Sequence, residues 1–206
     1  MKRLFLLQPN RLIRKFYKKA VWRIDANSKN IYLTFDDGPI PELTGWVLDQ
    51  LKLFDAKATF FCVGENINKN PKIFERIQNE GHQVGNHTMK HAKGFHSSLK
   101  DYLTSIENCE ALTKTKLFRP PYGQLSKMQY RALIKKGFKI VFWDVISYDY
   151  EKISPEICFK IVSSRIRKGS IVLFHDNMKA EKNLKYTLPK ILEKFSSEGY
   201  SFKKIN

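Results

Sequence analysis

Two carboxylates stand side by side in Thr34-Phe35-Asp36-Asp37-Gly38-Pro39, directly after Asn30-Ile31-Tyr32-Leu33, an apolar and β-branched run with strand character. Ionised neighbours repel, so unless a cation or an arginine lies close, one of the two takes up a proton; apart from that pair, Asp-Gly-Pro is ordinary turn chemistry. In His87-Thr88-Met89-Lys90-His91 two imidazoles stand at i and i+4. On a helical turn such a pair shares one side and can hold a metal ion. With one carboxylate of the Asp36-Asp37 pair they form a two-histidine, one-carboxylate set with open positions, suited to catalytic zinc and equally to non-haem Fe(II). The other carboxylate is then free to act as a base. Arg119, stiffened by Pro120-Pro121, can fork onto a carboxylate. His175 closes the apolar run Ile171-Val172-Leu173-Phe174 and can donate a proton if an acid such as Asp149 holds it. His82 and His96 have no partners in the pattern and read as structural or exposed.

These groups need a frame, and the chain offers one by alternation. Strands are expected at 30–33, 57–63, 82–86, 117–119, 138–144, 170–174 and 200–202, about seven in all. Helices are expected over 41–54, from Asn70-Pro71 to Gly81, from Ser98 through Cys109, and over 126–136, 155–168 and 186–198. The runs 139–143 and 171–174 are apolar throughout, as in strands covered on both faces, so the class is α/β with a mainly parallel sheet. An open doubly wound sheet and a (β/α) barrel both fit. In either, sites form beyond the C-terminal strand ends. Asp36, Asp37, His87, His91, Arg119, Asp144, Asp149, His175 and Asp176 all follow an expected strand, so they are expected on one rim.

With 206 residues, 42% of them hydrophobic, the chain suits a single core. The net charge of +17 points to a polyanionic partner. Lys and Arg are spread along the chain and not striped with aromatics, however, so nucleic acid is not expected. Cys62, Cys109 and Cys158 are widely spaced and odd in number, which excludes a disulfide framework and a CxxC site and suggests buried thiols. The Leu4-Phe5-Leu6-Leu7 run is shorter than the roughly 7–15 apolar residues of a secretory segment or the about 20 of a spanning helix. The expected location is therefore cytoplasmic or peripheral at a membrane face. Residues 11–24 read as a basic amphipathic helix, with Ile13, Phe16, Tyr17, Ala20, Val21 and Ile24 on one side. It either packs on the main domain or meets an anionic membrane. The division expected is a basic segment over 1–28 and a catalytic domain over 29–206.

Taken together, Thr34–Pro39, His87–His91, Arg119-Pro120-Pro121-Tyr122-Gly123, Asp144–Tyr150 and Ile171–Asp176 resemble, in order, the motifs of the polysaccharide deacetylase (NodB-homology) group of carbohydrate esterases. The resemblance runs from about Ile31 to the end of the chain. It implies a distorted, TIM-like (β/α) barrel of seven strands and metal-dependent hydrolysis of N-acetyl groups on a glycan containing N-acetylglucosamine, with peptidoglycan the first expectation. It implies Asp37, His87 and His91 as ligands of one divalent ion, zinc first, with cobalt, manganese or nickel as alternatives. Asp36 is then the base, Arg119 its holder, His175 the acid and Asp149 the residue that orients it. Tyr122, Trp143 and Leu173 would shape the acetyl pocket. The division of labour between Asp36 and Asp37 comes from the resemblance alone. The family pattern commonly has Trp after the fourth-motif acid. Here Tyr150 follows Asp149, which puts the pocket wall in question and weakens Asp144 as an orienting acid.

Two other readings compete. An Fe(II) oxygenase explains the ligand set but leaves Asp36, Arg119 and His175 idle. A non-enzymatic basic protein binding nucleic acid or acidic glycan would make all of these residues structural.

Overall fold

The computed structural model describes residues 11–206, so the Leu4–Leu7 run and the first ten residues of the 1–28 segment lie outside the described residues. The strands are β1 (Asn30–Asp36), β2 (Thr59–Cys62), β3 (Gln83–Asn86), β4 (Leu117–Phe118), β5 (Lys139–Ile140), β6 (Val145–Ile146), β7 (Ile171–His175) and β8 (Ser201–Phe202). All are paired in parallel, in the order β5-β4-β3-β2-β1-β7-β6, with β8 against the first residues of β1. That order is the sequence order written as a ring and cut once, between β5 and β6. A doubly wound sheet would reverse direction at a switch point; this one curls into an open barrel. Residues 141–144 run across the cut.

The helices are α1 (Arg11–Phe16), α2 (Pro41–Leu53), α3 (Gly64–Lys69), α4 (Pro71–Asn79), α5 (Leu99–Thr113), α6 (Lys127–Lys135), α7 (Pro155–Ser163) and α8 (Glu181–Ser197). Their starts follow local chemistry. Ser98, Ser126 and Ser154 accept hydrogen bonds from backbone N–H groups three residues on, Ser126 in a capping box with Gln129, while proline opens α2, α4 and α7. Alternate residues of the central strands divide between two sides. Leu33, Phe35, Phe60 and Phe174 enter the main core with α2 and α8, while Thr34 and Asp36 on β1 and Leu173 and His175 on β7 turn to the other side. Cys62, Cys109 and Cys158 are buried thiols.

Four expectations need correction. The run 138–144 is not one strand: β5 ends at Ile140, the chain crosses the cut, and β6 begins at Val145. The helix expected over 11–24 ends at Phe16 because tertiary pairing overrides its period. Val21 N–H donates to the Ile140 carbonyl and Val21 O accepts from Phe142 N–H, both at 2.8 Å, and Ile24 N–H reaches the Gly169 carbonyl at 2.9 Å. Residues 20–24 thus form a strap from the β5 edge to the base of β7, and among residues 14–24 only Lys15, Phe16, Lys18 and Lys19 are exposed. The helices at 155–168 and 186–198 are displaced, the first ending at Ser163 and the second starting at Glu181. Helix α3 was not foreseen.

Trp22 anchors the strap. Its indole stacks on Phe142 with ring centres 4.2 Å apart and planes within 8°. Replacing a buried aromatic by alanine typically costs 3–5 kcal/mol, so Trp22→Ala is expected to cost about 3 kcal/mol in urea denaturation with an unchanged slope. A loss below about 1 kcal/mol would show that the strap does not hold the barrel's open side.

Candidate active site

Strand register assembles the reacting groups. Asp36 is the last residue of β1 and His175 the last of β7, and their Cα atoms are partners in the parallel ladder. His87 follows β3, Arg119 follows β4, and Asn86 and Phe118 at those strand ends are also partners. Asp149 follows β6 by a short loop. Five separate strand ends therefore converge, as expected of one rim.

Asp144 does not join them. Its N–H donates to the carbonyl of Ile171, the first residue of β7, and its carboxylate is bound by Arg167, Arg14 and Ser170. Because β5 stops early, Asp144 precedes a strand and does not follow one. It sits at the opposite end of the sheet, where it ties the strand bases together.

Arg119 is fully buried, and each of its three nitrogens donates. Nη1 donates to Asp36 Oδ1 and to Thr34 Oγ1, each at 2.7 Å, Nη2 to the Phe142 carbonyl at 2.9 Å and Nε to the Val141 carbonyl at 3.2 Å. Its guanidinium carbon lies 4.1 Å from the Phe61 ring centre. Burial disfavours the cation and lowers its pKa, against the pull of Asp36. Asp36 thus has its countercharge, and its free Oδ2 lies 3.7 Å from His87 Nε2.

Asp37 has a different solution. Its Oδ1 is buried without a well-formed hydrogen bond, although His91 Nε2 lies at 3.0 Å and His87 Nε2 at 3.6 Å. The three ligand atoms fall within 4.8 Å of one another. His87 Nδ1 faces the Arg119 carbonyl at 2.7 Å, so that nitrogen must carry the proton and Nε2 presents a bare lone pair. Burial first, with His91 adding to it against Asp36 and Asp37, drops the His87 pKa to about 4, which keeps the ring neutral. A bare lone pair aimed at an orphaned carboxylate oxygen is repulsive unless a cation lies between them. These residues therefore fit a divalent ion. Burial also works against ionisation of Asp37, yet the adjacent His91 and the charge of His175 hold it well below the usual carboxylate range.

The two histidines do not sit on a helical turn. Residues 87–91 are loop, with Thr88 at φ 66° and His91 at φ 53°, and these two left-handed residues bring the rings to 5.1 Å. Asp37 (φ 86°) and Tyr122 (φ 59°) are left-handed as well. Such conformations cost about 1–3 kcal/mol each and gather where surrounding structure over-determines them.

His175 Nδ1–H donates to Asp149 Oδ1 at 2.9 Å, and the His175 N–H to Asp149 Oδ2 at 2.8 Å. Burial alone would keep this imidazole neutral. The charge and hydrogen bond of Asp149, with Asp37 and Asp36 further off, outweigh it and raise the pKa to about 9. Tyr150 packs edge-on against His175 with ring centres 4.8 Å apart, occupying the position where a tryptophan was expected. Tyr122 is 57% exposed, with its hydroxyl 3.2 Å from His91 Nδ1. Trp143 lies against Gly123, where a Cβ would come within 2.9 Å of the indole. Leu173 is buried two residues before His175 on the same side of β7.

Sequence reasoning missed Thr34, Thr44 and Asn177, and placed Asp176 on the rim without giving it a role. Thr34 relays Arg119 to the Val172 carbonyl. Asp176 is buried, its Oδ1 accepting Gly38 N–H at 3.0 Å and its Oδ2 the Thr44 hydroxyl at 2.5 Å; a Cβ on Gly38 would meet that carboxylate at 2.0 Å. Burial, then Asp37, push Asp176 up to about 8 against these hydrogen bonds. Asn177 Nδ2 donates to Asp37 Oδ2 at 2.5 Å. Its Oδ1 accepts the N–H groups of Lys179 and Ala180, so the amide can only face Asp37 with its donor end. The one signal for Thr34 was a polar residue within an apolar strand; Thr44 and Asn177 gave none.

The polysaccharide deacetylase family profile matches residues 23–141. A peptidoglycan-N-acetylglucosamine deacetylase of Bacillus cereus is 34% identical over 190 residues, which is 89% of each chain. The peptidoglycan-N-acetylmuramic acid deacetylase PdaC of Bacillus subtilis is 31% identical over 86% of this chain but only 38% of its own length. A crystal structure of a peptidoglycan N-acetylglucosamine deacetylase with 4-naphthalen-1-yl-N-oxidanyl-benzamide superposes with a TM-score of 0.87, at 32% identity over 91% of each chain.

The His175–Asp149 pair gives a direct check. In an NMR titration of the metal-free protein the His175 imidazole is expected to titrate near pH 9. Asp149→Asn is expected to move that midpoint down by about 1–3 units, since an adjacent opposite charge is worth that much. An unmoved midpoint would mean that Asp149 does not set the protonation of His175.

Proposed function

Because this chain belongs to the polysaccharide deacetylase family, we propose that it hydrolyses N-acetyl groups from a glycan containing N-acetylglucosamine, releasing acetate, with peptidoglycan the first candidate polymer. The observation that carries this reading is the pairing of two solutions at one strand end: Asp36 held by a buried arginine beside a protonated His175, and Asp37 left facing the bare Nε2 of His87 and the Nε2 of His91. An Fe(II) oxygenase has no use for the first half of that arrangement. A purely binding protein has no use for either.

Asp37, His87 and His91 would hold the ion, zinc first. Such an ion supplies a Lewis acid for the acetyl carbonyl and lowers the pKa of water beside it. The protein supplies the proton transfers. Asp36, aimed by Arg119, takes the proton of the attacking water. His175, protonated below about pH 9, gives its proton to the departing amine, and Asp149 holds the imidazolium in place. Each transfer is typically worth a hundred- to ten-thousand-fold. Tyr122, Trp143 and Leu173 wall the acetyl group, and a backbone N–H near Tyr122 completes the oxyanion site. Asn177 acts through Asp37: by taking Oδ2 it leaves Oδ1 for the ion.

Among the described residues no helix is long and apolar enough to cross a membrane.

Purified protein given an N-acetylglucosamine oligomer is expected to release acetate, to stop on chelation and to recover with zinc. Asp36→Asn is expected to lose at least about a hundred-fold in kcat. Activity should fall as pH rises through about 9, where His175 loses its proton. An Asp36→Asn protein as active as the wild type, or turnover untouched by chelation, would contradict the reading.

A further inference from the structure

At the opposite end of the barrel lies a groove of about 620 Å³, lined by Val21, Ile24 and Tyr32 and by five cations, Arg23, Lys57, Lys139, Lys203 and Lys204. The cations come from four separate segments: the strap, the approach to β2, the first residue of β5 and the chain after β8. No acidic side chain lines the groove. None of the five cations is paired with a side-chain carboxylate of the described residues. Three of the head groups instead meet carbonyl oxygens, Lys57 that of Glu80, Lys204 that of Gly81 and Arg23 that of Lys168, while Lys139 reaches an oxygen of Asn206, the last residue of the sequence. Carbonyls orient a cation but leave its charge uncancelled.

His82, which accepts the Ala58 N–H beside Lys57, is held down to about pKa 4, first by burial and then by Lys57, with Lys204 and Arg76 adding to it against Glu80. The groove is also remote from the chemistry. Asn30 lines it while Asp36 ends the same strand, and six residues of strand span roughly 20 Å.

We propose that this groove binds a linear polyanion carrying repeated phosphates, at a site separate from the catalytic rim. Several uncancelled charges in one concavity need a ligand with several closely spaced anions, and lysines bind phosphate as point charges. Val21, Ile24 and Tyr32 give the groove an apolar floor. A bilayer is flat and would leave the floor uncovered. Nucleic acid bases would find only Tyr32 to stack on, and that ring is buried.

The test measures anisotropy of a fluorescent linear polyphosphate of about fifteen units with the full chain. With roughly 0.7 counterions released per phosphate on a single strand and five contacts, affinity is expected to fall about 100-fold between 50 and 200 mM salt. Lys139→Glu, Lys203→Glu, Lys204→Glu combined is expected to abolish binding, and the neutral Lys139→Gln, Lys203→Gln, Lys204→Gln set to weaken it at least tenfold, with thermal midpoint and acetate release unchanged. The control makes the same charge change on the exposed face of α6, with Lys127→Glu, Arg131→Glu and Lys135→Glu, and is expected to bind almost as well as wild type. Equal losses from both sets would mean diffuse surface charge and overturn the proposal. So would groove-dependent binding of phosphatidylglycerol vesicles without binding of polyphosphate.

Discussion

Two adjacent carboxylates at one buried strand end are the constraint on which the rest of this structure depends. Unpartnered, they would cost several kcal/mol or take up a proton. The fold gives them different partners on different sides. Asp36 is the terminal residue of β1, so its side chain follows the strand's alternation inward, onto Arg119. Asp37, turned out of the strand by its left-handed backbone, faces His87 and His91. Each bracing contact nearby serves that separation. Asp176 grips the Gly38 N–H and Asn177 takes the second oxygen of Asp37. Thr34 helps to fix the guanidinium.

The barrel's single cut explains why the arginine can be there. Between β5 and β6 the ladder is open, and the carbonyls of Val141 and Phe142 in the crossing segment accept from Arg119 instead of from a neighbouring strand. The strap at residues 20–24 then satisfies the outer side of the same segment, with Trp22 covering Phe142. The break in the sheet is therefore part of what lets a charged group lie fully buried in the barrel wall with all three of its nitrogens hydrogen-bonded.

Much of this was legible in the residues. The alternation gave the parallel α/β class, and polar residues after apolar runs gave the rim, because strand ends in such folds collect chemistry. The alternation alone left an open sheet and a barrel both possible, since the choice depends on which edges meet; the barrel came from the family resemblance, and the strand order agrees with it. Asp144 was misplaced because Phe138–Asp144 reads as one apolar run, and nothing in its period marks the crossing at 141–144. The helix at 11–24 failed for a related reason: its 3.6-residue pattern is real, but the unpaired edge of β5 outbids it. His87 and His91 come together as expected, though through two left-handed loop residues and not through helical geometry. Asn177 has no sequence signature, since its role follows from the backbone N–H groups of Lys179 and Ala180, just before α8, that fix which way its amide points.

The central claim is that Asp37 belongs to the ion and Asp36 to the proton. Zinc titration of the Asp36→Asn and Asp37→Asn proteins by calorimetry tests it directly. The account expects Asp36→Asn still to take up one zinc per chain and Asp37→Asn to lose most of its affinity. Retention of zinc by Asp37→Asn with loss in Asp36→Asn would contradict it.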